Sequence, residues 1–398
     1  MQSILFLISL VILHKILIVE SQACKQKPYN VVCYLASWSV YREGRGSFNV
    51  SYVIPTYCTH LVYTFAGLGL NGGLDSLDHY NDINVNSLHR QLEGYERIVG
   101  LKEENPCLKV MLAVGGWNEG SEKYSLMAET EESRMDFADH ALKYLAHFGF
   151  DGLDLDWEYP TMRGGIPEDK ENFILLLKTL RDKFQRRKKL LSVAIGGSPG
   201  IIQAAYDLTA MCEVLDFINL MAYDYGLKNI ASVDAPLYPE PTTKSESADG
   251  AIAFIRQSGC PMSKINLGIP TRAKTYTLRT GVKGDLRTGI AVQGPGRAGP
   301  YTKNAGTLGY NELCEMVKEG KWDTKLLNNV KVKVGFHGDQ WVTYDDGETT
   351  TAKAMYAKEK GLGGVMFWTI DTDDYHGDCH NEAYPMVRAA NRVFGYIR

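Results

Sequence analysis

Acidic and apolar residues alternate in the stretch Asp151-Gly152-Leu153-Asp154-Leu155-Asp156-Trp157-Glu158-Tyr159-Pro160. Side chains alternate between the two faces of a β-strand, so Asp154, Asp156 and Glu158 share one face, and the leucines and the tryptophan share the other. In a parallel barrel the apolar face packs against the surrounding helices. The pattern therefore predicts a barrel strand whose three acids point inward and rise toward the mouth at its carboxyl end.

Similar β-rich apolar runs recur along the chain, and helical stretches separate them. Residues 134–148 and 171–186 place apolar side chains at the three- and four-residue spacing of amphipathic helices. Strands that alternate with helices indicate a parallel sheet, and eight of them predict an α/β fold of the (β/α)8 TIM-barrel class. The eight runs are residues 31–36, 60–66, 108–114, 152–157, 190–195, 217–221, 265–269 and 364–367.

Two segments do not fit the repeating pattern. Residues 1–23 contain short apolar runs that end in Ser21-Gln22-Ala23, which is typical of a secretory signal peptide. The barrel is then expected over residues 24–398. Between the seventh and eighth strands the chain is too long for one helix, so we expect a small α+β insertion at about residues 279–346.

The bulk composition narrows the range of partners. The formal net charge is −4, from 43 basic and 47 acidic residues, which gives no electrostatic reason to expect nucleic acid. No later segment is apolar enough to predict a membrane span. Eight cysteines behind a signal peptide indicate an oxidising, extracellular compartment and up to four disulfides.

The inward-facing acids are the candidate catalytic groups. Carboxyls at alternate strand positions lie about 6 to 7 Å apart, so full ionisation is costly and some of them should hold protons at neutral pH. A protonated carboxyl near the mouth can act as a general acid, which assigns that role to Glu158. Asp156 can bind a substrate group, and Asp154 can share a proton with Asp156. The alternative is a solvated acidic strand, which the strict alternation with apolar residues disfavours.

The acidic stretch resembles the Asp-x-x-Asp-x-Asp-x-Glu signature of glycoside hydrolase family 18, the chitinases and chitinase-like lectins. All four acidic positions are filled, and further motifs of the family resemble this chain at its first, second, third, sixth and eighth strands. These segments are Cys33-Tyr34 with Trp38 to Arg42, Thr59 to Ala66, Val114-Gly115-Gly116-Trp117, Met221-Ala222-Tyr223-Asp224, and Gly363 to Trp368 with Asp371.

The resemblance implies a retaining mechanism in which the acetamido oxygen of the substrate attacks the anomeric carbon. Glu158 is then the acid and base, Asp156 orients the acetamide with help from Tyr223, and Trp368 is the apolar floor under the sugar. The catalytic set is Glu158, Asp156, Asp154 and Tyr223. The substrate-binding set is Tyr34, Phe65, Gly116, Trp117, Tyr159, Met221, Asp224 and Trp368.

The chain departs from the family pattern at three places. Arg272-Ala273-Lys274 stands where the family usually has Tyr-Gly-Arg, and lysine is not equivalent to arginine as a planar donor. The segment after Asp224 lacks the usual histidine and tryptophan, which implies a less aromatic leaving side of the cleft and altered substrate preference. Ala113 replaces a serine whose hydroxyl would support the buried acids.

The resemblance also implies two disulfides, Cys33 with Cys58 and Cys314 with Cys379. Cys212 and Cys260 precede neighbouring strands and are candidates for a pair, which leaves Cys24 and Cys107. Asn49 begins a glycosylation sequon. His376, Asp378, Cys379 and His380 form an alternative metal cluster, but a disulfide better explains Cys379 in a secreted chain. We expect no metal and no cofactor.

Together these features predict a secreted, endo-acting chitinase that binds chitin or chito-oligosaccharides and works as a monomer. One alternative is a catalytically weak chitinase-like lectin that binds chito-oligosaccharides. Known non-catalytic relatives usually lack the acid at the position of Glu158, which is present here. The other alternative is an ordinary two-carboxylate glycosidase, for which Asp224 is the obvious candidate for the second acid.

Overall fold

Eight parallel strands close into a barrel in the computed structural model, which describes residues 24, 27–83 and 92–398. The segment predicted as a signal peptide lies outside these residues. The strands, in chain order, are β1 (Asn30–Ala36), β2 (His60–Leu68), β3 (Leu74–Ser76), β4 (Lys109–Gly115), β5 (Gly152–Asp156), β6 (Leu190–Gly196), β7 (Phe217–Met221), β8 (Ile265–Pro270), β9 (Arg272–Leu278), β10 (Val292–Pro295), β11 (Thr307–Gly309), β12 (Asp323–Leu327), β13 (Val332–His337), β14 (Gln340–Tyr344) and β15 (Gly364–Trp368).

The barrel consists of β1, β2, β4 to β8 and β15, each parallel to its neighbours. Pairing of β1 with both β2 and β15 closes it. These are the eight strands expected from the sequence, and the (β/α)8 fold class is confirmed. Because the strands are parallel, their carboxyl ends open on one face, where the loops that carry catalytic groups meet.

Helices surround the barrel and cover the apolar outer face of its strands. In chain order the helices are α1 (His79–Asp82), α2 (Gly94–Gly100), α3 (Glu122–Glu129), α4 (Glu131–Phe148), α5 (Asp169–Gln185), α6 (Pro199–Ala205), α7 (Leu208–Val214), α8 (Ala248–Gln257), α9 (Tyr310–Lys318), α10 (Gly347–Glu359) and α11 (Pro385–Phe394). Of these, α9 packs against β9 and β11 instead of the barrel strands. The two helices predicted from amphipathic spacing correspond to α4 and α5. Within the described part of the chain, no helix combines the length and apolarity that crossing a membrane requires.

Local sequence explains where α4 begins and ends. The Thr130 hydroxyl accepts a hydrogen bond from the Ser133 backbone N–H at 3.1 Å, and the Ser133 hydroxyl accepts one from the Thr130 N–H at 3.2 Å. This reciprocal cap satisfies two amide groups that the helix itself leaves free. Gly149 ends the helix in the left-handed conformation, with φ of 80°.

A second sheet lies between the seventh and eighth barrel strands. Its strands run β10-β9-β14-β13-β12, and β11 also pairs with β9. It starts with β9 at Arg272, directly after β8 ends at Pro270, so the sheet begins before the insertion predicted at about 279–346. The earlier start of the sheet is explained by strand pairing that is distant in sequence, because β9 forms its hydrogen bonds with β14 and β11. Helix α9 and strands β13 and β14 all lie within the interval of about 279–346 that the sequence assigns to the insertion.

Four disulfides join the described cysteines, and none of these cysteines is free. The pairs are Cys24–Cys107, Cys33–Cys58, Cys212–Cys260 and Cys314–Cys379. The second and fourth are the pairs that the family resemblance implies, and the third joins the cysteines that precede β7 and β8. Since disulfides persist in oxidising compartments, this pattern agrees with an extracellular protein.

Candidate active site

Strand β5 carries the acidic residues into the barrel as its alternation predicts. Asp154 and Asp156 have exposed fractions of 0% and 2%, and Trp157 lies on the opposite face, where its ring meets Phe173 of α5 at 5.7 Å. The Trp157 indole N–H donates to the Ser121 hydroxyl at 2.9 Å. Packing of Trp157 outside the barrel therefore orients the acids inward, and Glu158 follows at the carboxyl end of the strand.

Asp154 is held by donors from three other strands. The Tyr34 hydroxyl donates to Oδ2 at 2.5 Å, and the Ser192 hydroxyl and the Asn219 amide donate to Oδ1 at 2.5 and 3.4 Å. Burial raises the pKa of Asp154, and these hydrogen bonds oppose that rise. Such contacts stabilise a carboxylate. Ala113 is the register partner of Asp154 and has no hydroxyl where the family usually has serine. Asp154 receives its hydrogen bonds from the other three strands instead.

Asp156 has a different environment. Its Oδ1 is buried and has no hydrogen-bond partner among the described residues, and the same is true of the Tyr223 hydroxyl. Burial, followed by the charges of Glu158 and Asp154, raises the pKa of Asp156 well above its ordinary value. A buried polar atom without a partner is costly unless a ligand supplies one. Asp156 and Tyr223 therefore offer one acceptor and one donor to a bound group.

Glu158 is in the environment that a general acid requires. Burial raises the pKa of Glu158 to about 7, the negative charge of Asp224 acts in the same direction, and Tyr159 and Arg163 oppose the rise. A carboxyl with this pKa is substantially protonated near neutrality and can both release and regain a proton. Three side chains shift the pKa of Glu158 besides its burial. Tyr159 and Asp224 belong to the substrate-binding set predicted from the sequence, and Arg163 does not.

Arg163 joins the loop after β4 to the loop after β5. Its guanidinium lies 3.5 Å from the centroid of the Trp117 ring and donates to the backbone oxygens of Trp117 at 2.7 Å and Glu158 at 3.0 Å. A cation stacked on an indole and bound to two carbonyls is fixed in place. Arg163 therefore positions both Trp117 and the backbone of Glu158, and its charge lowers the pKa of Glu158.

Replacement of Arg163 by Gln is expected to move the alkaline limb of the kcat/KM profile to higher pH. The limb reports the loss of the Glu158 proton in the free protein, and removal of the cation raises the pKa of Glu158 above about 7. The profile is measured on a soluble chito-oligosaccharide, the substrate that the family resemblance implies. Arg163→Lys keeps the charge and loses the planar stack, so its limb should stay near that of the original protein; an equal shift in both variants would contradict the electrostatic explanation.

Aromatic rings form the wall beside the acids. The Trp368 ring lies 5.5 Å from the Tyr34 ring and 5.8 Å from the Phe65 ring, and Trp38 stacks on Phe65 at 6.2 Å with an interplanar angle of 19°. Trp38 is 46% exposed and Trp117 is 57% exposed. Exposed indole faces next to buried acids are suited to stacking on the C–H faces of sugars.

Gly116 is needed for this arrangement. Its φ is 85°, and a Cβ atom at this position would lie 2.6 Å from the Phe65 ring. The neighbouring Gly115 packs against the backbone oxygen of Asp156, from which a Cβ would be 2.2 Å away. Glycine at both positions allows the third-strand motif to pass close to the acids.

Asp224 belongs to an ion cluster that the sequence did not predict. Arg272 contacts Asp224 at 2.7 Å and the buried Asp234 at 3.2 Å, and Lys274 lies 3.7 Å from Asp224. Burial alone would raise the pKa of Asp224, but Arg272 and Lys274 outweigh it and hold the pKa below the ordinary value. Asp224 is therefore an ionised carboxylate that is paired with two cations.

Most of the predicted residues meet at the carboxyl end of the barrel, and one has a different position from that expected. Tyr34 is only 1% exposed and donates to Asp154, so it supports the acids from below and offers no surface to a substrate. The cause is its place on β1, from which it points into the barrel interior. Met221 and Tyr159 are half-buried near the acids.

Several residues of the site were missed by the sequence analysis: Trp38, Arg163, Ser192, Asn219, Asp234 and Asn266. Asn266 donates to Asn219 at 3.0 Å, and Asn219 donates to the Tyr34 hydroxyl at 2.8 Å, so the amides extend the network below Asp154. The only available signal was a polar residue inside an otherwise apolar strand. For Trp38 the signal was its place in the segment Trp38 to Arg42, which resembles the family's loop after the first strand.

Two further predictions concern residues away from the acids. Asn49 is half-buried, and its Oδ1 accepts from the Ser51 N–H at 2.9 Å; its glycosylation stays a prediction. In the alternative metal cluster, Cys379 is bonded to Cys314, Asp378 pairs with Arg45, and His380 shares a hydrogen bond of 2.8 Å with the Tyr310 hydroxyl. These side chains therefore have partners within the protein.

The sequence model described as glycosyl hydrolases family 18 matches residues 30–373 of the chain. Chitotriosidase-1 of Mus musculus is 38% identical over 372 residues, which are 90% of this chain and 76% of that protein. The fold is similar to that of the Group IV chitinase of Ostrinia furnacalis, with a TM-score of 0.85, 35% identity, and coverage of 92% of this chain and 100% of that one.

A non-catalytic relative has the same fold. Human YKL-39, described as a pseudo-chitinase with retained chitooligosaccharide binding, superposes with a TM-score of 0.83 at 31% identity. The match covers 92% of this chain and 100% of that chain. The comparisons therefore include both enzymes and a binding protein, and the distinction has to come from the residues of the site.

Proposed function

The chain belongs to glycosyl hydrolase family 18, and we propose that it is a secreted, endo-acting chitinase that cleaves β-1,4-linked N-acetylglucosamine polymers with retention. The observation that supports this most directly is the pair of unpartnered atoms below Glu158, Oδ1 of Asp156 and the hydroxyl of Tyr223. An acetamido group has one N–H donor and one carbonyl acceptor, and it can satisfy both atoms at once.

In the proposed first step the acetamido oxygen attacks the anomeric carbon. The glycosidic bond breaks, its electron pair goes to the leaving oxygen, and Glu158 donates its proton to that oxygen. The proton of Asp156 passes to Asp154, and the resulting Asp156 carboxylate accepts the acetamido N–H and offsets the positive charge that develops on the oxazolinium ring, while Tyr223 donates to the attacking oxygen. Trp368 excludes water from the lower face of the sugar.

In the second step water attacks the anomeric carbon from the side that the leaving group vacated. Glu158, now a carboxylate, takes a proton from the water, the oxazolinium ring opens, and the acetamide is restored. Two inversions at one carbon give net retention. The pKa of about 7 for Glu158 suits both halves of this cycle.

Secretion and endo-cleavage have separate support. Four disulfides, the predicted signal peptide and the sequon at Asn49 favour an extracellular protein. The exposed rings of Trp38 and Trp117 extend the binding surface beyond a single sugar, as cleavage within a polymer requires.

The second candidate is a chitinase-like lectin that binds chito-oligosaccharides with little turnover. Arg272 and Lys274 favour it, since they stand where the family usually has tyrosine and arginine. Glu158, Asp156 and Tyr223 are all present, however, and the environment of Glu158 keeps its pKa near neutrality, which favours the enzyme.

Digestion of a chito-oligosaccharide followed by NMR is the test. The purified protein is expected to release short oligosaccharides that first appear as the β-anomer, because substrate-assisted cleavage retains configuration. Initial α-anomer would exclude the acetamide mechanism. The digestion is repeated with a large excess of enzyme. Binding of the oligosaccharide without any turnover under these conditions would assign the chain to the lectins.

A further inference from the structure

A cavity lies beside the ion cluster of Asp224, between the loop that follows β7 and the second sheet. Its volume is about 440 Å³, within the range of about 300–1,000 Å³ that is typical of small-ligand pockets. The lining includes Lys228 and Asn229 on one side and Gln293 and Gly306 on the other, with Lys274 between them and Asp224. We call this the lysine pocket.

The lining of the lysine pocket is basic. Among the described residues that line it, two are lysines and none is acidic. Lys274 is 37% exposed and shares Asp224 with Arg272, and Lys228 has no ion pair within the described part of the chain. The pocket and the adjoining ion cluster together contain three cations, Arg272, Lys274 and Lys228, and two carboxylates, Asp224 and Asp234, which leaves one surplus positive charge. A site with this charge favours an anionic group.

The walls of the lysine pocket are held in place. The Val292 backbone N–H donates to the oxygen of Asn229 at 3.1 Å, and residues 230 and 291 form an isolated antiparallel bridge. The register between β9 and β10 shifts between Val292 and Gly294, which places Gln293 in a bulge. The oxygen of that side chain accepts from Thr280 at 3.3 Å, which leaves its amide N–H groups as donors.

The lysine pocket is connected to the proposed cleavage site through shared residues. Lys274 lines the pocket and contacts Asp224, and the charge of Asp224 raises the pKa of Glu158. The loop 226–229 follows Asp224 after one residue and belongs to the segment in which the family resemblance implies a less aromatic leaving side of the cleft. A bound chain that continues past Asp224 on the leaving side would therefore reach the pocket.

We propose that the lysine pocket binds a carboxylate at the reducing end of the substrate chain, so that the protein prefers chito-oligosaccharides whose terminal sugar is oxidised to an aldonate. The inference rests on the proposed function. A C1-oxidised end presents a carboxylate beyond the cleaved bond, where Lys228 and the Gln293 amide can bind it. Oxidative cleavage of chitin at C1 is the class of reaction that supplies such ends.

Two substrates that differ only in charge test the proposal. Chitopentaose oxidised to the aldonate and chitopentaose reduced to the alditol have the same open-chain end, with a carboxylate in one and a hydroxymethyl group in the other. We expect kcat/KM for the aldonate to exceed that for the alditol about threefold to tenfold at low salt. High salt should reduce the preference, since the lysines are partly solvated.

Variants of Lys228 test whether this residue causes the preference for the aldonate over the alditol. Lys228→Gln is expected to bring the ratio close to one without changing kcat/KM for the alditol, and Lys228→Arg should keep the ratio. Lys228 is exposed and lies outside the catalytic set, so these variants should fold normally. A ratio near one in the original protein, or an unchanged ratio in Lys228→Gln, would overturn the proposal.

Affinities separate this inference from the proposed function. If neither substrate is cleaved, calorimetry on the same two compounds still decides: tighter binding of the aldonate that Lys228→Gln removes supports the lysine pocket and leaves only the chitinase activity refuted. Equal affinities overturn the pocket, whatever the turnover. Normal cleavage of the alditol with no aldonate preference refutes the inference alone.

Discussion

Glu158→Gln is expected to lower kcat for chitopentaose by about 10²- to 10⁴-fold and to change its dissociation constant by no more than a few-fold. Glutamine has the size of glutamate but cannot transfer a proton to the leaving oxygen or take one from water. The aromatic wall of Trp368, Phe65 and Trp117 remains, so the oligosaccharide still binds. Product analysis gives kcat, and calorimetry gives the dissociation constant.

Glu168→Gln is the matched control for this change. Glu168 lies on the loop that follows β5, is exposed, and makes no side-chain cap at the start of α5. The chemical change is identical, so kcat should stay within about twofold of the original value. Loss of activity in both variants, or turnover by Glu158→Gln close to the original, would mean that the acid has been assigned to the wrong residue.

The barrel could be predicted because its signals are local. Each strand is a short run of buried residues, and β5 is marked by the alternation of Asp154 and Asp156 with leucines. Strand bounds from the sequence differ from those of the structure by no more than two residues, as in β2, which extends to Leu68. The inward direction of the acids followed from the same alternation.

The remainder of the site depends on contacts between residues distant in sequence. Arg163 and Trp117 stand 46 positions apart, and Arg272 meets Asp234 across 38 positions. No local pattern indicates that a loop arginine stacks on a tryptophan or that a departure from the family motif forms an ion cluster. Tyr34 was assigned to the substrate surface for the same reason, because its burial depends on the strands that pack over it.

Asp154 and Asp156 have opposite environments, and this difference predicts opposite consequences when either is replaced by asparagine. In Asp156→Asn a neutral amide replaces a buried carboxyl whose raised pKa already favours the neutral form. The free energy of unfolding should therefore change little. In the reaction, however, the variant loses the negative charge that stabilises the oxazolinium, so kcat/KM should fall by about 10²- to 10³-fold.

Asp154→Asn should affect stability instead. Tyr34, Ser192 and Asn219 all donate to this carboxyl, and an amide nitrogen in place of one oxygen leaves at least one of these donors unsatisfied. The expected loss is about 1–3 kcal/mol in the free energy of unfolding, measured with urea. Because Asp154 acts on Asp156 through its charge, its replacement should reduce kcat/KM less than that of Asp156. If Asp156→Asn kept its turnover, or if it were the less stable of the two variants, Asp156 would be a structural residue and the acetamide would need another group to orient it.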